Sequence, residues 1–269
     1  GYRFLVPREK KEEKLLETVR ALGCPLSEAL SGKITRGLVT GQDKYFIFET
    51  LPEWLPNNYL RTIVKGREIQ PFLITGERYL LTLDETPFGD LLGRLKQRFK
   101  SMAGRDPQSP SELMELRSPR SDNLFVAPKI LLLRTGRRLV AAPDFDRNLA
   151  AVDTLYIIRP REEQHMLFMT ALLNSCLYNW LYQSVAGSSK DIFPEIRPAP
   201  LHILPFIEPP LDILESINTD VEAIRDLLTD AENVSTRDQV GVFRKEIDDK
   251  LFDLYKIPES FREEILRHR

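Results

Sequence analysis

Cysteine is scarce in this chain: Cys24 and Cys176 are the only two in 269 residues. They lie far apart, neither belongs to a C-x-x-C pair, and no Cys/His cluster has zinc-ligand spacing. This excludes a disulfide framework and a structural zinc site, and it fits a reduced, cytosolic protein. An export leader is also missing, because charges within residues 1–10 fall where such a leader needs an unbroken apolar run. A leading Gly without Met suggests an expressed fragment. One stretch, residues 164–189, lacks Lys, Arg, Asp and Glu over a length that would span a bilayer. Asn174, Ser175, Asn179 and Gln183 interrupt it with groups that lipid does not satisfy, so it is predicted to be a buried core helix and no membrane association is expected.

Catalytic signatures are missing as well. An adenine methyltransferase needs a glycine-rich cofactor turn after a strand and an Asn/Asp-Pro-Pro-aromatic loop for the extracted base; the chain contains neither. The Glu-x-Lys element of a metal nuclease is matched by Glu9-Lys10-Lys11 and Glu12-Glu13-Lys14, but no acidic partner stands on a preceding strand. Those residues read as a solvated helix face. There is no phosphate-cradling GxxxxGK[ST] loop, and His165, His202 and His268 are dispersed without a neighbouring nucleophile motif. No catalytic residue, metal site or cofactor of its own is therefore expected of this chain.

What is present is enough apolar residue, 42%, to bury a core in one large domain or two ordinary ones. Net charge is only −2, which gives no general attraction to nucleic acid, but the charge is unevenly placed. Residues 1–200 hold 29 Lys and Arg against 24 Asp and Glu, a net +5, while residues 201–269 hold 9 against 16, a net −7. Within 117–139 the basic residues Arg117, Arg120, Lys129, Arg134, Arg137 and Arg138 face only Asp122. A local excess of this kind makes an electrostatic footprint for phosphate.

Periodicity predicts an α+β fold. Leu15, Leu16, Val19 and Leu22 recur at helical spacing, and the helix should end at Gly23 and Pro25. A short helical turn should follow over 26–30. Residues 34–49 read as strand, turn, strand, with Tyr45-Phe46-Ile47-Phe48 rich in strand formers. Further strands are predicted at 78–83, 129–134, 138–142 and 152–158, several too apolar for a solvent-facing side, so a mixed sheet is expected. Between them, 89–102 should form a basic amphipathic helix with Leu91, Leu92, Leu95 and Phe99 on its apolar face. Residues 104–122, with three prolines and four serines, read as a long surface loop. Six prolines in 192–210 predict an extended connector. Beyond it, Leu214, Ile217, Val221, Ile224 and Leu228, then Phe243, Ile247, Leu251 and Leu254, predict a helical hairpin.

Five segments in fixed order, GLVTGQDKYFIF at 37–48, VKGREIQPF at 64–72, ELRSP at 115–119, PKILLLRTG at 128–136 and LLNSCLYNWLY at 172–182, resemble the TaqI-like C-terminal specificity domain. That domain forms the recognition half of Type IIG restriction-modification enzymes and related adenine-specific DNA methyltransferases. The resemblance covers about 34–207, and the ending IDDKLFDLYKIPESFREEI is similar to the family's closing helices. It implies a helical linker at 1–33, a mixed-sheet target-recognition domain at 34–207 and a helical region at 208–269. It further implies that double-stranded DNA is the partner, and that the catalytic domain, which would hold S-adenosylmethionine, lies outside this chain in cis or in trans. The alternative reading is an interaction scaffold whose acidic hairpin docks a separate methyltransferase or nuclease.

The residues nominated for DNA contact are read from the sequence itself. Gly37 and Gly41 permit φ > 0 and close approach of backbone amides to a phosphate, with Thr40, Gln42 and Lys44 adding donors; a plain hairpin turn explains them equally. Lys65 and Arg67 flank Gly66, at a strand end where two solvated charges would also be ordinary. Arg117 and Arg120 belong to the long loop, and Lys129 opens a strand. Arg134, Arg137 and Arg138 flank Thr135-Gly136, where a hairpin would present guanidiniums to a groove. Asn174 is expected to satisfy nearby backbone rather than read a base.

Overall fold

The computed structural model describes residues 10–82, 89–100, 120–187, 194–230 and 234–267. Along the chain, helix α1 (Lys10–Arg20) leads to strand β1 (Cys24–Pro25) and a 3-10 turn at Leu26–Ala29. Strand β2 (Thr35–Arg36), helix α2 (Asp43–Phe46) and strand β3 (Ile47–Phe48) follow. Next come β4 (Leu60–Val64), a 3-10 turn at Gly66–Glu68, β5 (Ile69–Gln70), β6 (Leu73–Ile74), β7 (Arg78–Leu81) and helix α3 (Gly89–Phe99). The second half contains β8 (Lys129–Leu133), β9 (Ala141–Asp144), β10 (Ala150–Ala151), β11 (Leu155–Ile158), α4 (Met166–Asn174) and α5 (Cys176–Ala186). It ends with α6 (Pro198–His202), β12 (Pro205–Phe206), α7 (Leu211–Thr229), α8 (Val234–Leu254) and α9 (Glu259–Leu266). The expected α+β class with C-terminal helices is found.

The strands divide into two four-stranded sheets, ordered β10-β4-β7-β3 and β2-β11-β8-β9, with two short ribbons, β1-β12 and β5-β6. The first sheet is mixed, β10 running parallel to β4, and the second is antiparallel throughout. The apolar strands are explained by burial on both faces of the second sheet. Ile130, Leu132, Tyr156 and Ile158 point into a core shared with α1, α4, α5 and the C-terminal helices. Leu131, Leu155 and Ile157, one residue out of phase, point into a core shared with the first sheet and α3. The second sheet is thus the middle layer, and both of its faces select apolar residues.

Four sequence expectations are corrected. Tyr45 and Phe46 are not strand: they lie in α2, both buried, with Phe99 of α3 stacked on the Tyr45 ring at 5.9 Å and tilted against the Phe46 ring at 5.2 Å. A buried aromatic serves a helix as well as a strand, so this segment's composition did not distinguish them. The predicted single helix at 164–189 is two helices broken at Ser175, whose backbone is extended; its Oγ donates to the Leu172 carbonyl and accepts from the Tyr178 amide. The proline-rich run is not simply extended. Ile196, Leu201, Leu204 and Phe206 are buried, α6 interrupts the run, and β12 pairs with β1. Finally, the strand expected at 138–142 lies at Ala141–Asp144, and Arg137 and Arg138 precede it.

Asn174 behaves as expected. Its amide accepts from the Ala141 N–H at 3.0 Å and donates to the Ala141 carbonyl at 2.8 Å, while Asn179 accepts from the Leu139 N–H at 2.7 Å. Two helix side chains thereby satisfy backbone at the edge of the second sheet, a requirement for any polar group buried there. Asp248 of α8 does the same for α5, accepting from the Cys176 amide at 2.9 Å. Among the described residues no helix is long and apolar enough to cross a membrane.

Candidate nucleic-acid interface

Three of the segments nominated from sequence, those at 37, 65–67 and 134, meet around one turn, residues 152–155, between β10 and β11. The turn closes on itself through the Leu155 amide and the Val152 carbonyl at 3.0 Å. Its outward groups then collect neighbours from the two sheets. Gly37 donates its N–H to the Leu155 carbonyl at 3.1 Å, and Arg134 donates its N–H to the Thr154 carbonyl at 2.9 Å. Gly66 donates to Thr154 Oγ1 at 3.0 Å. Backbone that would otherwise be unpaired at three strand ends is satisfied here, which fixes the 37, 66 and 134 segments relative to one another.

Side chains complete the cluster. Arg36 on β2 donates through Nε to the Asp153 carbonyl at 3.3 Å and through Nη2 to its Oδ2 at 2.5 Å. Arg134 stands 4.0 Å from the same carboxylate and 3.6 Å from Glu195. Arg120 donates to the Arg36 carbonyl at 3.1 Å. Tyr156 contacts Glu195 at 3.5 Å; burial first, then the Glu195 charge, pushes its phenol up, and Arg134 and Arg36 oppose this. Three guanidiniums therefore gather at one end of the second sheet, two of them oriented by carboxylates at fixed distances. A fork held in this way loses less freedom on meeting a planar acceptor than a free side chain would.

The 40–44 segment adjoins the cluster through Lys65, whose Nζ lies 2.6 Å from Asp43. Thr40 is buried and donates to the other Asp43 oxygen at 2.5 Å. Burial alone would raise the Asp43 carboxyl, but the hydrogen bonds from Lys65 and Thr40 outweigh it and hold it below its ordinary value. Thr40 is thus a support for Asp43 and not an outward donor. Gln42 is half-buried at the start of α2, and Lys44 is exposed with its ammonium 4.7 Å from the Tyr45 ring. Arg98 of α3 donates to the Lys44 and Tyr45 carbonyls, each at 2.8 Å, and so fixes this segment from behind.

Arg137 and Arg138 are exposed and make no ion pair among the described residues. Their loop is nonetheless held at its base: Arg134 accepts from the Ile196 amide at 2.7 Å, and Gly136, at φ 154°, donates to the Pro194 carbonyl at 3.0 Å. Arg67 is exposed and pairs with Glu49 and Glu68. Arg117 lies outside the described residues. Lys129 is the clear correction: it is wholly buried, donating to the Phe125 carbonyl at 2.7 Å and paired with buried Asp144. It does not reach the surface. Burial pushes its ammonium below the ordinary lysine value, and Asp144 opposes the shift. Sequence reasoning missed Arg36 and Arg78; Arg36 immediately precedes Gly37, the same cation-glycine pattern that drew notice to Lys65-Gly66-Arg67.

Gly37 matters for a reason other than the one expected. Its φ is not positive, whereas Gly41 has φ 89°. A Cβ on Gly37 would stand 2.3 Å from both the Ala151 and the Val152 carbonyl oxygens. The glycine therefore allows two backbones to touch beneath the cluster. Gly37→Ala is expected to cost about 1–3 kcal/mol as an overpacking defect between backbones that have little room to move. Denaturant titration measures this; a variant as stable as the parent would show that the close approach is dispensable.

Chemically, this arrangement gathers cationic hydrogen-bond donors, two of them balanced by carboxylates, at one end of the sheet. Among the described residues no group of three or more His, Cys, Asp or Glu side chains is placed to hold a metal ion. A cavity of about 470 Å³ lies elsewhere, lined by Ser31, Val126, Pro128, Arg159, Arg161 and Met166 among others.

Comparison with known proteins gives the class. The model of the TaqI-like C-terminal specificity domain matches residues 61–206, more than half of the chain, and the chain belongs to that family. Its fold is similar to that of the Type IIL restriction-modification enzyme MmeI, solved in complex with DNA: TM-score 0.57, 20% identity, covering 88% of this chain and 35% of that one. It is also similar to the type IIG restriction endonuclease BpuSI: TM-score 0.54, 15% identity, covering 91% of this chain and 33% of that one. The chain thus spans about a third of each. No curated protein sequence matches it.

Proposed function

We propose that this chain binds double-stranded DNA as the target-recognition module of a restriction-modification enzyme that methylates adenine. The observation that carries the reading is the meeting of Arg36 and Arg134 at Asp153 of the 152–155 turn, with Arg120 joined to them through the Arg36 carbonyl and Lys65 brought alongside by the bond from Gly66 to Thr154, in a member of the specificity-domain family. The exposed Arg137 and Arg138 stand next to it. Duplex DNA presents closely spaced phosphates outside and base-edge acceptors within its grooves, and guanidinium is the side chain suited to both.

In this reading selection and chemistry are divided. The chain supplies register and base choice, and a methyltransferase domain of the Type IIG kind, in cis or in trans, extracts the adenine and methylates its amine. The sequence carries no glycine-rich strand-to-helix turn of the kind that holds S-adenosylmethionine, and in this reading the cofactor is held by the catalytic domain. Cytosolic DNA is the matching compartment.

The test is affinity against salt. With about five phosphates neutralised, binding to duplex should weaken by about 10²–10³ between ~50 and ~200 mM salt. Selection from a randomised duplex pool should then enrich one short sequence. Failure to bind any duplex at low salt, or binding that ignores salt, would sink the proposal.

A further inference from the structure

A second group of cations lies on the 67–78 side of the first sheet, built around two glutamates with different surroundings. Glu68 is almost buried, its side chain 9% exposed, and each of its oxygens is in use. Oε2 accepts from the Lys65 amide at 2.8 Å; Oε1 accepts from Arg67 Nε at 3.0 Å and from Arg78 Nε at 2.8 Å. One fixed carboxylate thus orients two guanidiniums by their inner edges. Their outer edges meet at Glu49: a single oxygen, Oε1, accepts from Arg67 Nη2 at 2.8 Å and from Arg78 Nη1 at 2.9 Å. Glu49 is 75% exposed. It follows the last residue of β3, where the pairing of Phe48 with Tyr79 brings it opposite Arg78.

The two carboxylates therefore differ in what holds them. Removing Glu68 would strand an arginine that is only 12% exposed, so Glu68 is structural. Glu49 is a solvated side chain whose ion pairs are worth little, and it can swing into water while the guanidiniums stay in place. What remains is a pair of forks aimed at one anionic oxygen, the geometry in which arginines take a phosphate.

We propose that Arg67 and Arg78 form a phosphodiester-binding notch, and that Glu49 occupies it in the free chain. This rests on the duplex-binding reading above and adds to it a contact site and an internal competitor. An incoming phosphate displaces an anion of equal charge, so the notch adds register with a smaller gain in non-specific affinity than two bare arginines would give. Such an exchange also lowers the cost of keeping two cations close together when no DNA is bound.

The experiment compares Glu49→Gln, Arg67→Gln and the wild type for binding to a labelled duplex of random sequence across a salt series. Glu222→Gln on α7, which removes the same charge from an exposed site on the C-terminal helices, is the control. E49Q should bind about fivefold tighter at low salt with a slope steeper by about 0.9, and R67Q should bind more weakly with a shallower slope. E49Q matching E222Q, while the wild type binds duplex, would overturn the notch and leave the DNA reading intact. Absence of duplex binding by both wild type and E49Q would overturn both. Glu49 and Arg67 are exposed, so these variants should keep the parental melting temperature; if R67Q does not, E49Q against E222Q decides.

Discussion

Asp144→Ala should destabilise the protein by about 3–5 kcal/mol, because it leaves a wholly buried lysine without its counter-charge. Asp144 does more than pair with Lys129: it accepts from the Leu149 amide at 2.9 Å and from the Arg147 amide at 3.0 Å. The ion pair therefore ties the last strand of the second sheet to the loop that enters β10, and β10 leads into the 152–155 turn. Lys129→Met, which leaves a buried carboxylate with two amide donors, should cost less than Asp144→Ala. The double variant Lys129→Met/Asp144→Leu should recover part of the loss, since apolar residues of similar volume need no counter-charge. Lys129 already has a depressed value in the folded state, so the unfolded chain holds that proton more tightly, and stability from this group rises with pH below the ordinary 10.5. The cost of Asp144→Ala should accordingly shrink at alkaline pH, where the stranded ammonium can lose its proton. Denaturant midpoints at neutral and alkaline pH test this. A loss under about 1 kcal/mol at neutral pH would mean that water reaches the site.

Lys129 also shows where sequence reading stops. It stands in a run of basic residues and opens the strand KILLL, so charge counting places it with its neighbours on the surface. Whether a lysine is inside depends on a partner, and Asp144 is supplied by the adjacent strand through the pairing of Lys129 with Asp144. One sequence carries no record of that register. The Arg134–Arg138 loop was legible for the opposite reason: a Thr-Gly turn between two apolar strands must reach the surface, and Arg137 and Arg138 go with it, while Arg134 stays mostly covered at its base. Apolar strands 129–133 and 155–158 were legible because burial on both faces removes the alternation that solvent imposes.

The break at Ser175 was less visible. An all-apolar helix has no polar face against which a change of direction would register, and Ser175 caps the second helix with the same hydroxyl that a helix interior would tolerate. Lys65-Gly66-Arg67, Arg120 and Arg134 were legible only as separate basic segments, and Arg36 was not singled out at all. Their convergence depends on long-range backbone bonds from Gly37, Gly66 and Arg134 to residues 154–155, which no local pattern encodes.

Recognition of a particular DNA sequence should be lost on changing Arg137 and Arg138 together to Ala. These two arginines differ from Arg36 and Arg134 in being exposed with no carboxylate partner among the described residues, while their loop is anchored at Arg134 and Gly136. An unpaired guanidinium on a fixed loop is ready to enter a groove, and a bidentate contact to guanine is worth about 1–3 kcal/mol of discrimination. If each makes one such contact, the double variant should lose about 10²–10⁴-fold in preference for the selected target over a scrambled duplex, while affinity for the scrambled duplex changes little. If both touch phosphate instead, the loss should be equal on both duplexes, and the salt slope should fall by about one for each arginine. Replacement by Lys separates these outcomes again: Lys keeps the charge but lacks the planar fork, so Arg137→Lys/Arg138→Lys should retain salt-dependent binding and still fail to discriminate. Unchanged affinity and preference in the Ala variant would remove this loop from the interface and leave recognition to the Arg36, Arg120 and Arg134 cluster.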